Sequence, residues 1–69
     1  MKKPTEEPGL PKRLYSIPEA ATYLGCTVLA VRTFIWGRRL PAVRLGRRKL
    51  WLDLRDLDRF IEESKSYVT

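Results

Sequence analysis

The sequence has no histidine, a single cysteine (Cys26), and no apolar run near the length of a membrane span. A bilayer-crossing helix needs about 20 apolar residues in succession. One cysteine cannot close an internal disulfide, and without histidine the usual zinc ligand sets cannot be assembled. The sequence offers no nucleophile paired with a base and no phosphate-binding glycine loop, and a chain of 69 residues is too short to wall off a pocket. Neither catalysis nor a metal or cofactor is therefore expected, and Glu19 and Asp53 read as helix caps. The first residues lack the apolar centre of a signal peptide, so a reducing, cytoplasmic setting without membrane contact is expected. Acid is scarce in one particular region: no Asp or Glu occurs between Glu19 and Asp53.

What fills that interval is basic. From Thr27 to Lys49 the chain carries Arg32, Arg38, Arg39, Arg44, Arg47, Arg48 and Lys49, and the whole protein has a net charge of +6. Such a balance favours an anionic partner. Arginine outnumbers lysine nine to five, and the planar guanidinium suits phosphates and base edges better than an ammonium. The cations alternate with Val31, Phe34, Ile35, Val43 and Leu45, so this is a folded basic surface and not a charged tail.

In chain order, residues 1–13 contain three prolines, a glycine and six charges with almost nothing apolar, and read as a flexible arm. Folding is expected to begin at Leu14-Tyr15. Ser16-Ile17-Pro18-Glu19 has the form of a capping box with proline in the first turn. Ile17, Ala20, Ala21 and Leu24 then repeat at helical spacing, and Gly25 supplies the stop. Thr27 is a good N-cap for a second helix, and so short a link is the mark of a helix-turn-helix. In that helix Val31, Phe34 and Ile35 should face inward, flanked by Val28 and Ala30. Leu29, Arg32, Thr33 and Trp36 should face outward. Gly37 and Pro41 end it, with Arg38 and Arg39 in the turn.

Ala42 to Leu45 and Leu50 to Leu52 read as two strands of a hairpin whose tip is Gly46-Arg47-Arg48-Lys49. A two- or four-residue turn would put Val43, Leu45, Leu50 and Leu52 on the core side and Arg44 and Trp51 opposite. Asp53-x-x-Asp56 opens a last helix with the buried stripe Leu54, Leu57, Phe60 and Ile61. Its acidic residues should keep it away from a polyanion, closing the core from behind. Residues 64–69 should fray, and Cys26 should be a small buried hydrophobe. In a chain this short the core is thin.

The order helix, tight turn, helix, basic hairpin, helix is mainly α with a small β-hairpin. With the residues SIPEAATYLGCT, FI, LPAVRLGRR and DLDRFIE, it resembles the excisionase-type winged helix-turn-helix family, related to the DNA-binding domains of MerR-type regulators. The resemblance runs from about Leu14 to Glu63. It implies a recognition helix in the major groove of double-stranded DNA and a wing on the backbone or the adjacent minor groove. Arg32 matches a position that often holds a cation or an aromatic, and Arg47 and Arg48 match the wing-tip arginines. Two departures stand out. Leu29 and Trp36 occupy a face that is usually polar, leaving Arg32 and Thr33 as polar readers, and Lys49 lengthens the wing turn by one residue.

The expected DNA contacts are thus Thr27, Val28, Leu29, Arg32, Thr33, Trp36, Arg38, Arg39, Arg44, Arg47, Arg48 and Lys49. Leu29 and Trp36 would meet either thymine methyl groups or a neighbouring protein. Two roles fit a DNA-binding chain of this kind, excision (as a recombination directionality factor) and transcriptional regulation. A recombinase or integrase, or neighbouring copies on DNA, would be the partners, and the free protein is expected to be a monomer. The alternative is an adaptor or RNA-binding module using the same basic face with Leu29 and Trp36.

Overall fold

A computed structural model describes residues 12–68. Most of the expected arm, residues 1–11, and the final Thr69 lie outside the described residues. The elements are β1 (Leu14–Tyr15), α1 (Ile17–Leu24), α2 (Val28–Trp36), β2 (Val43–Arg44), β3 (Leu50–Asp53) and α3 (Leu54–Ser64). This is the mainly helical winged helix-turn-helix architecture, with one addition. The sheet has three strands in the order β1-β3-β2, because the two residues of β1 pair antiparallel with the far edge of β3.

The helix boundaries follow from local chemistry. At α1 the Ser16 hydroxyl accepts from the Glu19 N–H at 3.3 Å, and the Glu19 carboxylate accepts from the Ser16 N–H at 2.9 Å. Two of the N–H groups that a helix start leaves unpaired are thereby satisfied. Gly25 closes α1 in the left-handed region, at φ 75°. Two residues later the Thr27 hydroxyl accepts from the Ala30 N–H at 3.0 Å and starts α2. The α2 exit is less expected. Gly37 stays right-handed at φ −81°, and Arg38 takes the left-handed conformation at φ 62°. The Arg39 and Leu40 N–H groups then both turn back to the Phe34 carbonyl, at 2.9 and 3.2 Å.

That reversal drives Leu40 inward. The core is Ala20, Ala21, Val31, Leu40, Leu52 and Leu57, with Tyr15, Ile17, Leu24, Cys26, Phe34, Ile35 and Phe60 packed against it. It is small, as the chain length requires. The inward and outward faces of α2 are as the periodicity predicts except at Val28, which is exposed at the first turn and not on the inward flank: Val31 is buried, while Leu29 and Trp36 are 66% and 69% exposed.

The hairpin corrects the sequence reading. Val43 pairs with Trp51 and Arg44 with Leu50, so five residues, 45–49, connect the strands. An odd loop shifts the register by one against an even turn, and in a strand a shift of one exchanges the faces. Val43 therefore shares a face with Trp51, and Arg44 shares one with Leu50 and the buried Leu52. Leu45, expected on the core side, is left 65% exposed.

The other end of the sheet is tied by long-range contacts. The Arg13 carbonyl accepts from the Leu54 N–H at 2.8 Å. The Arg13 guanidinium donates to both oxygens of Asp53, at 2.9 to 3.2 Å. Asp53 also caps α3 by accepting from the Arg55 N–H at 2.9 Å. These two donors, the Arg13 guanidinium first, hold the Asp53 carboxyl below its ordinary pKa. The Lys12 ammonium, followed by the Ser16 N–H, does the same for Glu19.

Candidate nucleic-acid interface

Within α2, Leu29, Thr33 and Trp36 recur at i, i+4 and i+7 and form one outward stripe, with Arg32 beside it. All four are exposed, as are Thr27 and Val28 at the start of the helix. The Thr33 hydroxyl donates to the Leu29 carbonyl at 2.9 Å, so its proton is already committed within the helix. What the Thr33 side chain presents outward is a methyl group and acceptor lone pairs.

The cations fall into two groups. Arg32 of α2 lines one hollow together with Arg48 and Lys49 of the wing loop, Leu50 of β3, and Ser16, Ile17 and Pro18 at the start of α1; its volume is about 240 Å³. Residues that lie far apart in the chain are brought together here by the antiparallel return of the wing alongside the helix pair. The Lys49 ammonium also sits 5.1 Å from the centre of the Trp51 ring, which half-buries the tryptophan beneath it. Arg44 and Arg47 are exposed, Arg44 on the same sheet face as Leu50.

Arg38 and Arg39 lie in a second hollow, with Phe60, Glu63 and Ser64 of α3. The Arg39 guanidinium is 5.3 Å from the ring centres of both Phe34 and Phe60, which are themselves 4.7 Å apart. It bridges the seam between α2 and α3. The acidic helix is therefore not wholly remote from the basic surface, because Glu63 stands beside these two arginines. Charge is better segregated at the other end of α3, where Asp53 is occupied by Arg13 and Asp58 accepts from the Tyr23 hydroxyl. That bond raises the Tyr23 pKa above its ordinary value.

The sequence marks Arg32, Arg48 and Lys49 individually, but carries no sign that they share a hollow or that Ser16, Ile17 and Pro18 border it. The spacing along the chain carries no signal for that meeting, which depends on the hairpin register. In sequence Arg39 is one more cation of the turn after α2, whereas its stack on two phenyl rings requires α3 to be docked.

Among the described residues no group of His, Cys, Asp and Glu side chains is placed to hold a metal ion, and no helix is long and apolar enough to cross a membrane. No match was found among curated proteins or solved structures. A helix-turn-helix domain family matches residues 14–65, the whole span from β1 to the end of α3. With three helices, a small antiparallel sheet and a match over about three quarters of its length, the chain belongs to the helix-turn-helix family of excisionase-like DNA-binding domains.

Proposed function

We propose that the protein is a sequence-preferring binder of double-stranded DNA that serves as a recombination directionality factor or a small transcriptional regulator. The unit is residues 14–63, with 1–13 and 64–69 as flanking segments. In this reading α2 enters the major groove, and the wing tip at Arg47, Arg48 and Lys49 follows the backbone or the adjacent minor groove. The observation that carries it is the placement of Arg32 beside Arg48 and Lys49, which unites the helix and the wing in one cationic surface. The free chain is a cytoplasmic monomer without enzymatic activity. Several copies bind side by side on DNA, because one helix with few polar readers supplies limited selectivity. A recombinase or integrase is the expected protein partner for an excision role, and an integrase gene adjacent to this one would favour that role over transcription.

The test is a fluorescence-anisotropy titration with mixed-sequence duplex over a range of salt. Of the seven cations from Arg32 to Lys49, Arg39 lies over Phe34 and Phe60 and Lys49 over Trp51, which leaves five or six for phosphates. Five or six neutralised phosphates give a slope of log K on log salt of about −5. A slope near zero would reject DNA binding and favour the second reading, a protein or RNA adaptor, which rests on the exposure of Leu29 and Trp36.

A further inference from the structure

The hollow between α2 and the wing assigns different work to neighbouring residues of the recognition helix. If α2 lies in the major groove and the wing reaches the adjacent minor groove, the sugar–phosphate strand separating those grooves must pass between them. The space between them is the hollow lined by Arg32, Arg48 and Lys49. Three cations from two elements around one opening suit a phosphate, and Arg32 is the member contributed by the helix.

The stripe left to face the base edges is then Leu29, Thr33 and Trp36. Its two large members are 66% and 69% exposed, and its one polar group has given its proton to the Leu29 carbonyl. Neither large side chain contributes to the core, so folding does not account for them. In the major groove the apolar feature that distinguishes one base from the others is the C5 methyl group of thymine. The flanking cations Arg32, Arg48 and Lys49 make a polyanion the fitting occupant of this face.

We propose that Arg32 joins Arg48 and Lys49 in clamping one backbone phosphate, and that sequence preference is read by Leu29 and Trp36 against thymine methyl groups. This rests on the DNA-binding reading above. It makes Arg32 a residue that fixes register and strength, and the apolar pair the residues that discriminate.

The experiment uses the full chain and three duplexes: one selected from a random library, the same duplex with every thymine replaced by deoxyuridine, and a mixed-sequence control. Deoxyuridine removes the methyl group and leaves every hydrogen-bonding group in place. The expected result is a loss of about fourfold for each contacted methyl group, bringing the uridine duplex towards the control. Leu29→Ala should lower affinity for the selected duplex by a larger factor than for the control, narrowing the ratio between them. Arg32→Ala should weaken selected and control duplexes by the same factor and reduce the salt slope by about 1. Arg32→Lys should recover part of the affinity, by the same factor for selected and control duplexes, since an ammonium keeps the charge and loses the planar fork. Equal affinity for thymine and uridine duplexes would overturn the inference, as would an Arg32→Ala protein whose selectivity falls while its control binding holds. Salt-independent or absent binding to all three duplexes would instead overturn the DNA-binding reading itself.

Discussion

The left-handed backbone at Arg38 is the most direct place to test the physical account of this fold. A residue with a β-carbon at φ 62° carries a steric cost of about 1–2 kcal/mol, which glycine does not. Arg38→Gly removes that cost but adds about 0.5–1 kcal/mol of backbone entropy to be lost on folding. The net expectation is a stabilisation of about 0.5–1 kcal/mol, or roughly 3–6 °C in Tm for a domain of this size. Removing one cation from a protein of net charge +6 could also raise stability by relieving repulsion, so the comparison that matters is with Arg38→Ala. Alanine removes the same charge and keeps the β-carbon, and should leave Tm nearly unchanged. Arg38→Asn should fall between, because its short amide tolerates the left-handed region. The assay is thermal melting by circular dichroism at two salt concentrations, with DNA affinity measured alongside. If alanine stabilises as much as glycine, charge and not backbone geometry is responsible. If glycine destabilises, the arginine side chain is holding the turn.

Three further outcomes are expected. Reversing charge at Arg47 and Arg48 together should weaken binding to all duplexes by a similar factor with little change in Tm, because an exposed loop tip makes few packing contacts; loss of folding would show these residues to be structural. Leu52→Ala, in the centre of the sheet and fully buried, should cost about 2–5 kcal/mol and leave much of so small a domain unfolded, as amide-proton dispersion in NMR would show. The Asp53 carboxyl, lowered in pKa by Arg13, contributes stability that is complete above its unfolded pKa of about 3.9 and is lost as pH falls through the lower folded value. Asp53→Asn should therefore flatten the fall in Tm below about pH 4, and an unchanged acid limb would show that the Arg13 pair does not contribute.

The elements that could be read from the sequence are those whose causes are local. Ser16 and Glu19 lie three residues apart and bond to each other, and Thr27 caps an N–H three residues on. Both helix starts were therefore visible in short strings of residues. The inward face of α2 was visible for the same reason, since Val31, Phe34 and Ile35 repeat at the helix period. What was not visible depends on distant partners. Leu40 lies between a glycine and a proline, where no periodicity marks it as core, yet the turn through Arg38 buries it. The strand at Leu14–Tyr15 exists only because β3 is there to pair with it. Of the candidate site, the list of exposed cations was legible. Their division was not, because the meeting of Arg32 with Arg48 and Lys49, and of Arg39 with Phe60, is made by tertiary docking.

The five-residue connection between β2 and β3 also decides how this wing can change. Val43 pairs with Trp51 and Arg44 with Leu50 on either side of it, so residues removed from 45–49 or added there shorten or extend the reach of the tip and leave both strand faces as they are. A slip of one strand against the other by a single residue is a different event: it would carry Val43 to the side of Leu52 and Arg44 to the side of Trp51. Length and register are thus separate variables in this wing. Related proteins that keep the sheet should vary in the number of loop residues while the apolar and charged positions along β2 and β3 stay in place.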